Sequence, residues 1–210
     1  MLRPSDHVRA STVRISDPAP GAEKFLSGFV VAAWPNLARL SPLPAEPPWA
    51  ALSFHAEPEA ALAGAEFVQE SAPEREDLKR ALLARLDAVL DPEIVIASSS
   101  PGLLMSRVQI DCLHPERCVI GHPFNPPHLL PLVEVVGSEK AGPAAVERAL
   151  AFYTAIGKQP IHIRREVPGM SPTGCSRRCG GRRCIWWPNG WRASPTSIRR
   201  SAPGRGYAGP

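Results

Sequence analysis

Short apolar runs alternate with stretches whose apolar residues recur every three or four positions from residue 13 to residue 163, and nothing else in the chain constrains the fold as tightly. The short runs at 13–16, 51–55, 66–69, 93–97, 119–122, 132–136 and 159–163 read as strands. The stretches at 22–40, 58–64, 73–90 and 144–156 have helical spacing, with Phe25, Phe29, Ala33 and Leu37 in the first and Leu78, Leu82, Leu86 and Leu90 in the third. Pro73 opens the third, with Glu74, Glu76 and Asp77 at its positive end. Four prolines between residues 40 and 48 break the pattern into a loop. Strands that alternate with helices predict an open, mainly parallel α/β sheet covered on both faces.

Past Gly169 the periodicity stops. Residues 170–210 hold eight Arg and no Asp or Glu, so the overall charge of +4 belongs to this tail and the body before it is net acidic. Cys175, Cys179 and Cys184 are spaced by three and four residues with no fourth Cys or His in the tail, which is a poor zinc pattern; no metal is expected. Arg interleaved with Trp186, Trp187 and Trp191 suits non-specific binding to polyanions rather than specific recognition of a nucleic acid. With Cys112 and Cys118 the chain has five cysteines, an odd count that fits a reduced, cytoplasmic protein better than a disulfide framework. No apolar run approaches the roughly 18 residues of a membrane span, and no membrane partner is expected.

The segment Gly121–His122–Pro123–Phe124–Asn125–Pro126–Pro127, followed by Leu132–Val133–Glu134–Val135–Val136, bears most directly on function. A His at a strand end with a carboxylate twelve residues on is a candidate general base: a neutral imidazole takes the proton, and a carboxylate on its other nitrogen fixes the tautomer. On spacing alone the two are equally a surface His beside a turn and an ordinary strand Glu. The wording of the segment resembles the signature of the NAD-dependent 3-hydroxyacyl-CoA dehydrogenases, a His-x-Phe/Tyr-Asn-Pro turn before a Leu-Val-Glu-Val strand. The flanking His114–Pro115–Glu116–Arg117 and Leu129–Leu130–Pro131 look like the carnitine dehydrogenase branch of that family.

That resemblance implies oxidation of a secondary 3-hydroxyl group by NAD. The substrate would be carnitine or another 3-hydroxy acid ahead of a 3-hydroxyacyl-CoA. It implies His122 as the base, Glu134 as its partner and Asn125 as a residue shaping the site. Asp17, ending the first visible strand, would bind the adenosine ribose; its plain reading is a turn residue. Glu74 and Lys79 would lie near the cofactor, against a reading as helix-start and surface charges, and Ser99 would face nicotinamide and substrate. Pro101 departs from the family, standing where another substrate-facing Ser is usual and removing a backbone donor. Such enzymes are expected to be homodimers.

The fold implied is a Rossmann-type, doubly wound NAD-binding domain, incomplete in its first strand and glycine loop. Residues 1–12 contain no Gly, so no G-x-G-x-x-G turn precedes the first visible strand. We therefore divide the chain into a non-family segment at 1–12, a partial NAD-binding domain at 13–168, and an aberrant tail at 169–210 in place of a helical domain. The tail has the composition of a GC-rich coding sequence read out of frame, and restoring one nucleotide after Gly169 permits a long amphipathic helix with the family's wording. The expectation is an enzyme by descent whose activity in this form is low or lost, the alternative being a non-catalytic fragment or a basic-tailed interaction module.

Overall fold

The computed structural model describes residues 12–40 and 42–167. Expectations for the phosphate-loop segment up to residue 11, and for the cysteine, Arg/Trp and frame readings of the tail, lie outside the described residues. Within them the chain runs β1 (Val13–Ser16), α1 (Ala22–Leu40), β2 (Leu52–His55), α2 (Pro58–Ala61), β3 (Phe67–Glu70) and α3 (Glu76–Asp87). It continues through β4 (Val95–Ser98), α4 (Met105–Val108), β5 (Cys118–Pro123), β6 (Leu132–Gly137), α5 (Pro143–Ala155) and β7 (Gln159–Ile163). No helix among them is long and apolar enough to cross a membrane.

The α/β layering is as expected, with strands in two groups. β1 pairs in parallel with β2, and β3–β4–β5–β6–β7 form a five-stranded sheet in chain order. Its pairings are parallel except β5–β6, which is antiparallel. The exception has a simple cause: residues 124–131 are too few for the crossover a parallel return requires, so the chain folds straight back.

The side chains of β4 show why this sheet is buried. Val95 and Ala97 point to one face, where Val119, Val133 and Val135 pack under Ala145, Val146, Ala149 and Tyr153 of α5. Ile96 points to the other, where Cys118, Ile120 and Val136 meet Leu83 and Leu86 of α3 and Met105 and Val108 of α4. Apolar residues on both faces are what a sheet between two helical layers needs.

α3 is shorter than the 73–90 that its spacing predicts. Arg75 is extended, with φ −127° and ψ 122°. The carboxylate of Glu70 accepts the amide of Ala72, while that of Glu74 is turned to a neighbouring loop. Local side-chain bonds of this kind compete with the first helical turn. The inward face also differs from the leucine ladder, for Lys79, Leu83, Leu86 and Asp87 are the buried residues. The 58–64 helix likewise stops at Ala61, and Gly64 turns the chain at φ +70°.

Gly121 in β5 admits no side chain. A Cβ there would stand 2.0 Å from the hydroxyl of Tyr153 and 3.1 Å from Ala97 Cβ. That hydroxyl donates to Gln69 Oε1 at 2.6 Å, and Gln69 Nε2 donates to the carbonyl of Gly121 at 3.2 Å. Burial holds the phenol well above its usual range, so it stays a neutral donor. Gly121→Ala is expected to lower stability by about 2 kcal/mol through overpacking, measured by urea unfolding, and adding Tyr153→Phe should recover part of the loss.

Candidate active site

The antiparallel register of β5 and β6 sets His122 directly opposite Glu134. Both side chains leave the face that carries Ile120 and Val136, and Nδ1 of His122 lies 3.1 Å from Oε2 of Glu134. The pair is well sheltered, with side-chain exposures of 8% and 13%. A carboxylate accepts but does not donate, so this contact selects the tautomer with the proton on Nδ1. Nε2 has no hydrogen-bond partner among the described residues and is left as an acceptor. His122 and Glu134 border a cleft with Ser100, Leu103, Ile163 and Glu166. An imidazole with one nitrogen anchored and the other beside an open cleft has the makings of a general base.

The opposite wall of the cleft is the loop after β4, and Glu74 organises it. Its Oε1 accepts from Ser100 Oγ at 2.6 Å, from Gly102 N at 3.0 Å and from Leu103 N at 3.2 Å. Pro101 supplies no amide, so the loop's donors on either side of it are gathered onto this one carboxylate. Glu166 holds the next turn, accepting from Ser106 N at 2.9 Å.

Lys79, expected toward the cofactor, is fully buried instead. Its ammonium bonds both oxygens of Glu70, at 2.8 and 3.0 Å, and lies 3.9 Å from Glu74. Glu70 also accepts from Ser98 Oγ at 2.5 Å. The cluster sits inside the chain under the cleft wall and presents no cation to a ligand. Ser99 is half-buried, its amide donating to the carbonyl of Glu70 at 2.8 Å, while the adjacent Ser100, not Ser99, borders the cleft. Asn125 is exposed and outside the cleft lining. Asp17 is exposed at the end of β1, where Oδ1 accepts the amide of Ala19 at 2.8 Å, a turn contact that leaves its other oxygen open. The structure therefore brings together His122 and Glu134, places Glu74 behind the cleft wall, and leaves Asp17, Lys79, Ser99 and Asn125 away from the pair's cleft.

Sequence reasoning passed over three residues that shape this region, Glu70, Glu166 and Arg117, and within the Ser98–Ser99–Ser100 run it singled out Ser99 where Ser100 borders the cleft. Arg117 is buried on Asp87, N to O 2.7 Å, and also donates to the carbonyls of Asp87 and Asp91 below the start of β5. The His-Pro-Glu-Arg wording marked Arg117 as a family feature without suggesting that it is interior. Glu70 and Lys79 are nine residues apart, and no local spacing reveals that they meet.

The residues 32–167 match the family model described as the 3-hydroxyacyl-CoA dehydrogenase NAD-binding domain. The L-carnitine dehydrogenase of Pseudomonas putida is 50% identical over 155 residues, which is 73% of this chain and 47% of that protein. That of Streptomyces coelicolor is 52% identical over 161 residues, 77% of this chain and 50% of that protein. The chain spans about half the length of these curated relatives. Among solved structures, 3-hydroxybutyryl-CoA dehydrogenase of Escherichia coli K12 superposes with a TM-score of 0.68 at 28% identity, over 77% of this chain and 35% of that one.

If Glu74 fastens the cleft wall, Glu74→Ala should free the Gly102 and Leu103 amides. Their hydrogen exchange is expected to speed up by roughly tenfold or more, the loss of bonds to a charged acceptor, while Ile96 and Val119 amides stay protected.

Proposed function

The chain belongs to the 3-hydroxyacyl-CoA dehydrogenase family, and from that membership we propose that it carries the acid–base half of an NAD-dependent oxidation of a secondary 3-hydroxyl group. The observation that supports this most is the His122–Glu134 contact at 3.1 Å beside an open cleft. The Nε2 lone pair takes the proton of the substrate hydroxyl. The imidazolium that forms is steadied by Glu134 across the strand pair, and the proton moved never reaches the carboxylate. The Ser100–Leu103 wall, fixed by Glu74, orients the substrate against the imidazole.

NAD supplies the hydride acceptor when bound. The residues fit one end of it better than the other. Asp17 has an open oxygen at the carboxyl end of β1, where a ribose hydroxyl is held in folds of this kind. The described turn from β1 into α1 has a single glycine, Gly21 at φ +78°, and not the G-x-G-x-x-G run that cradles a pyrophosphate.

Charge favours a small substrate bearing a cation. The cleft lining has two carboxylates, Glu134 and Glu166, and no Lys or Arg among the described residues. A polyanionic coenzyme A thioester is repelled there, whereas a quaternary ammonium such as that of carnitine is not. Carnitine or a related 3-hydroxy acid is therefore the substrate we assign. We place the protein in the cytoplasm, in keeping with the free thiols of Cys112 and Cys118.

With L-carnitine and NAD, the purified chain should bind the hydroxy acid but form NADH slowly, because the dinucleotide is poorly held. L-carnitine should shift the His122 imidazole resonances, and its binding, followed by calorimetry, should weaken in His122→Asn. Glu134→Gln should move the imidazole toward the Nε2–H tautomer in nitrogen-detected spectra and cut any turnover by about 10²-fold or more. A wild-type ring already protonated on Nε2, or carnitine that leaves those resonances unmoved, overturns the reading.

A further inference from the structure

The two carboxylates that border the cleft beside His122 are not equivalent. Glu134 is committed to the imidazole, with Oε2 on Nδ1 at 3.1 Å. Once the imidazole takes the substrate proton, the charge of Glu134 is matched by the imidazolium, and little of it is left for a second cation. Glu166 lies just beyond β7 and is half-buried. Its Oε1 accepts the amide of Ser106, in the first turn of α4, at 2.9 Å. That bond holds the carboxylate in place, while Oε2 has no hydrogen-bond partner and no ion-pair partner among the described residues. Arg164 and Arg165, its neighbours in sequence, are exposed and outside the cleft lining. The lining that Glu166 shares includes the aliphatic side chains of Leu103, Leu104, Ile163 and Val167.

A quaternary ammonium has no N–H to donate and spreads its charge over its methyl groups. It is therefore held by apolar contact and a nearby negative charge rather than by hydrogen bonds. A fixed carboxylate with one unpartnered oxygen, set among aliphatic side chains, answers both needs. We propose, on the footing of the carnitine reading, that Glu166 is a specificity-determining residue that reads the quaternary ammonium of the substrate. In carnitine that nitrogen is bonded to the methylene next to the carbon bearing the hydroxyl, so a molecule with its hydroxyl at His122 keeps its ammonium within the same cleft. Proton transfer then sets the imidazolium and the ammonium against Glu134 and Glu166, one carboxylate to each cation. An uncharged hydroxy acid of the same shape forfeits the second pairing.

The test uses the full chain and two ligands of the same shape and configuration: L-carnitine and 3-hydroxy-5,5-dimethylhexanoate, in which carbon replaces the ammonium nitrogen. Both keep the carboxylate and the hydroxyl, so the change in the ratio of their dissociation constants between variants, measured by calorimetry, reports the cation. Glu166→Gln retains an acceptor for the Ser106 amide and removes the charge. The ratio should then move against carnitine by about fivefold or more, the worth of a partly screened charge pair, while the uncharged ligand binds as before. Glu166→Asp should keep part of the advantage. Hydrogen exchange at Ser106 checks that its bond survives in Glu166→Gln. A residue that only holds α4 would weaken both ligands together, and that result overturns the proposal. Carnitine that shifts the His122 resonances yet keeps its full advantage in Glu166→Gln overturns the role of Glu166 and leaves the substrate reading intact. Carnitine that leaves those resonances unmoved in the wild type takes down both.

Discussion

The return of β6 antiparallel to β5 is the constraint on which the candidate chemistry depends. In that pairing, residues directly opposite one another share a face and stand within side-chain reach. One register step either way would turn Glu134 to the side occupied by α5 and leave the imidazole without its acceptor. The register is secured by what flanks the pair. Val133 and Val135 are locked into the α5 core, and Val136 into the opposite one. The loop between the strands is closed by Phe124 N donating to Leu132 O at 3.1 Å. A short connection thus does what a longer one could not, making a charge partner out of a residue twelve positions away.

Around this pair the protein uses carboxylates to hold backbone, two of them, Glu70 and Asp87, buried and one, Glu74, at the surface. Glu70, Glu74 and Asp87 each accept main-chain amides: Ala72, then Gly102 and Leu103, then Leu113 and His114. Two of them also meet a buried cation, Lys79 on Glu70 and Arg117 on Asp87. Burying an ion costs several kcal/mol, and the attraction of a single partner offsets this only when the remaining lone pairs are satisfied. Here they are, by amides and by Ser98. The net stabilisation from such a pair is therefore small, and its effect is geometric: each ties a loop at the carboxyl or amino end of a core strand to α3.

How much of this was legible in the sequence follows from what kind of contact each feature is. The strands and helices were readable because their signal is local periodicity, and β1, α1 and β7 run where the spacing places them. The His122–Glu134 pair was readable only through the wording of its segment, for a separation of twelve residues is compatible with many geometries. The start of α3 was misjudged because Pro73 and the acidic residues after it have the look of a helix opening, while the bonds that keep residues 73–75 out of the helix come from side chains whose partners lie elsewhere. The burial of Lys79 was hidden for a related reason. A lysine between leucines at fourfold spacing reads as solvent-facing, and only the tertiary meeting with Glu70 makes an interior position tolerable.

The two groups of strands differ in what holds them, and this bears on which part of the function is robust. β3 to β7 are covered on both faces by apolar clusters, and β4 and most of β5 are fully buried. β1 and β2 contain no buried residue, and α1 buries only Ala33 while Phe25, Val31 and Leu40 are largely exposed. Among the described residues β1 pairs only with β2 and β3 only with β4, so each presents one edge of free amides and carbonyls. A two-stranded pair with little buried surface is marginal by itself, and local opening free energies follow local burial. The acid–base pair and its cleft wall belong to the well-packed body. Asp17, the residue best placed to meet a ribose, belongs to the weakly packed one. Under the proposed function, proton transfer rests on the well-packed part of the chain and dinucleotide affinity on the part that opens first, so losses in stability should reach cofactor binding before they disturb the geometry at His122.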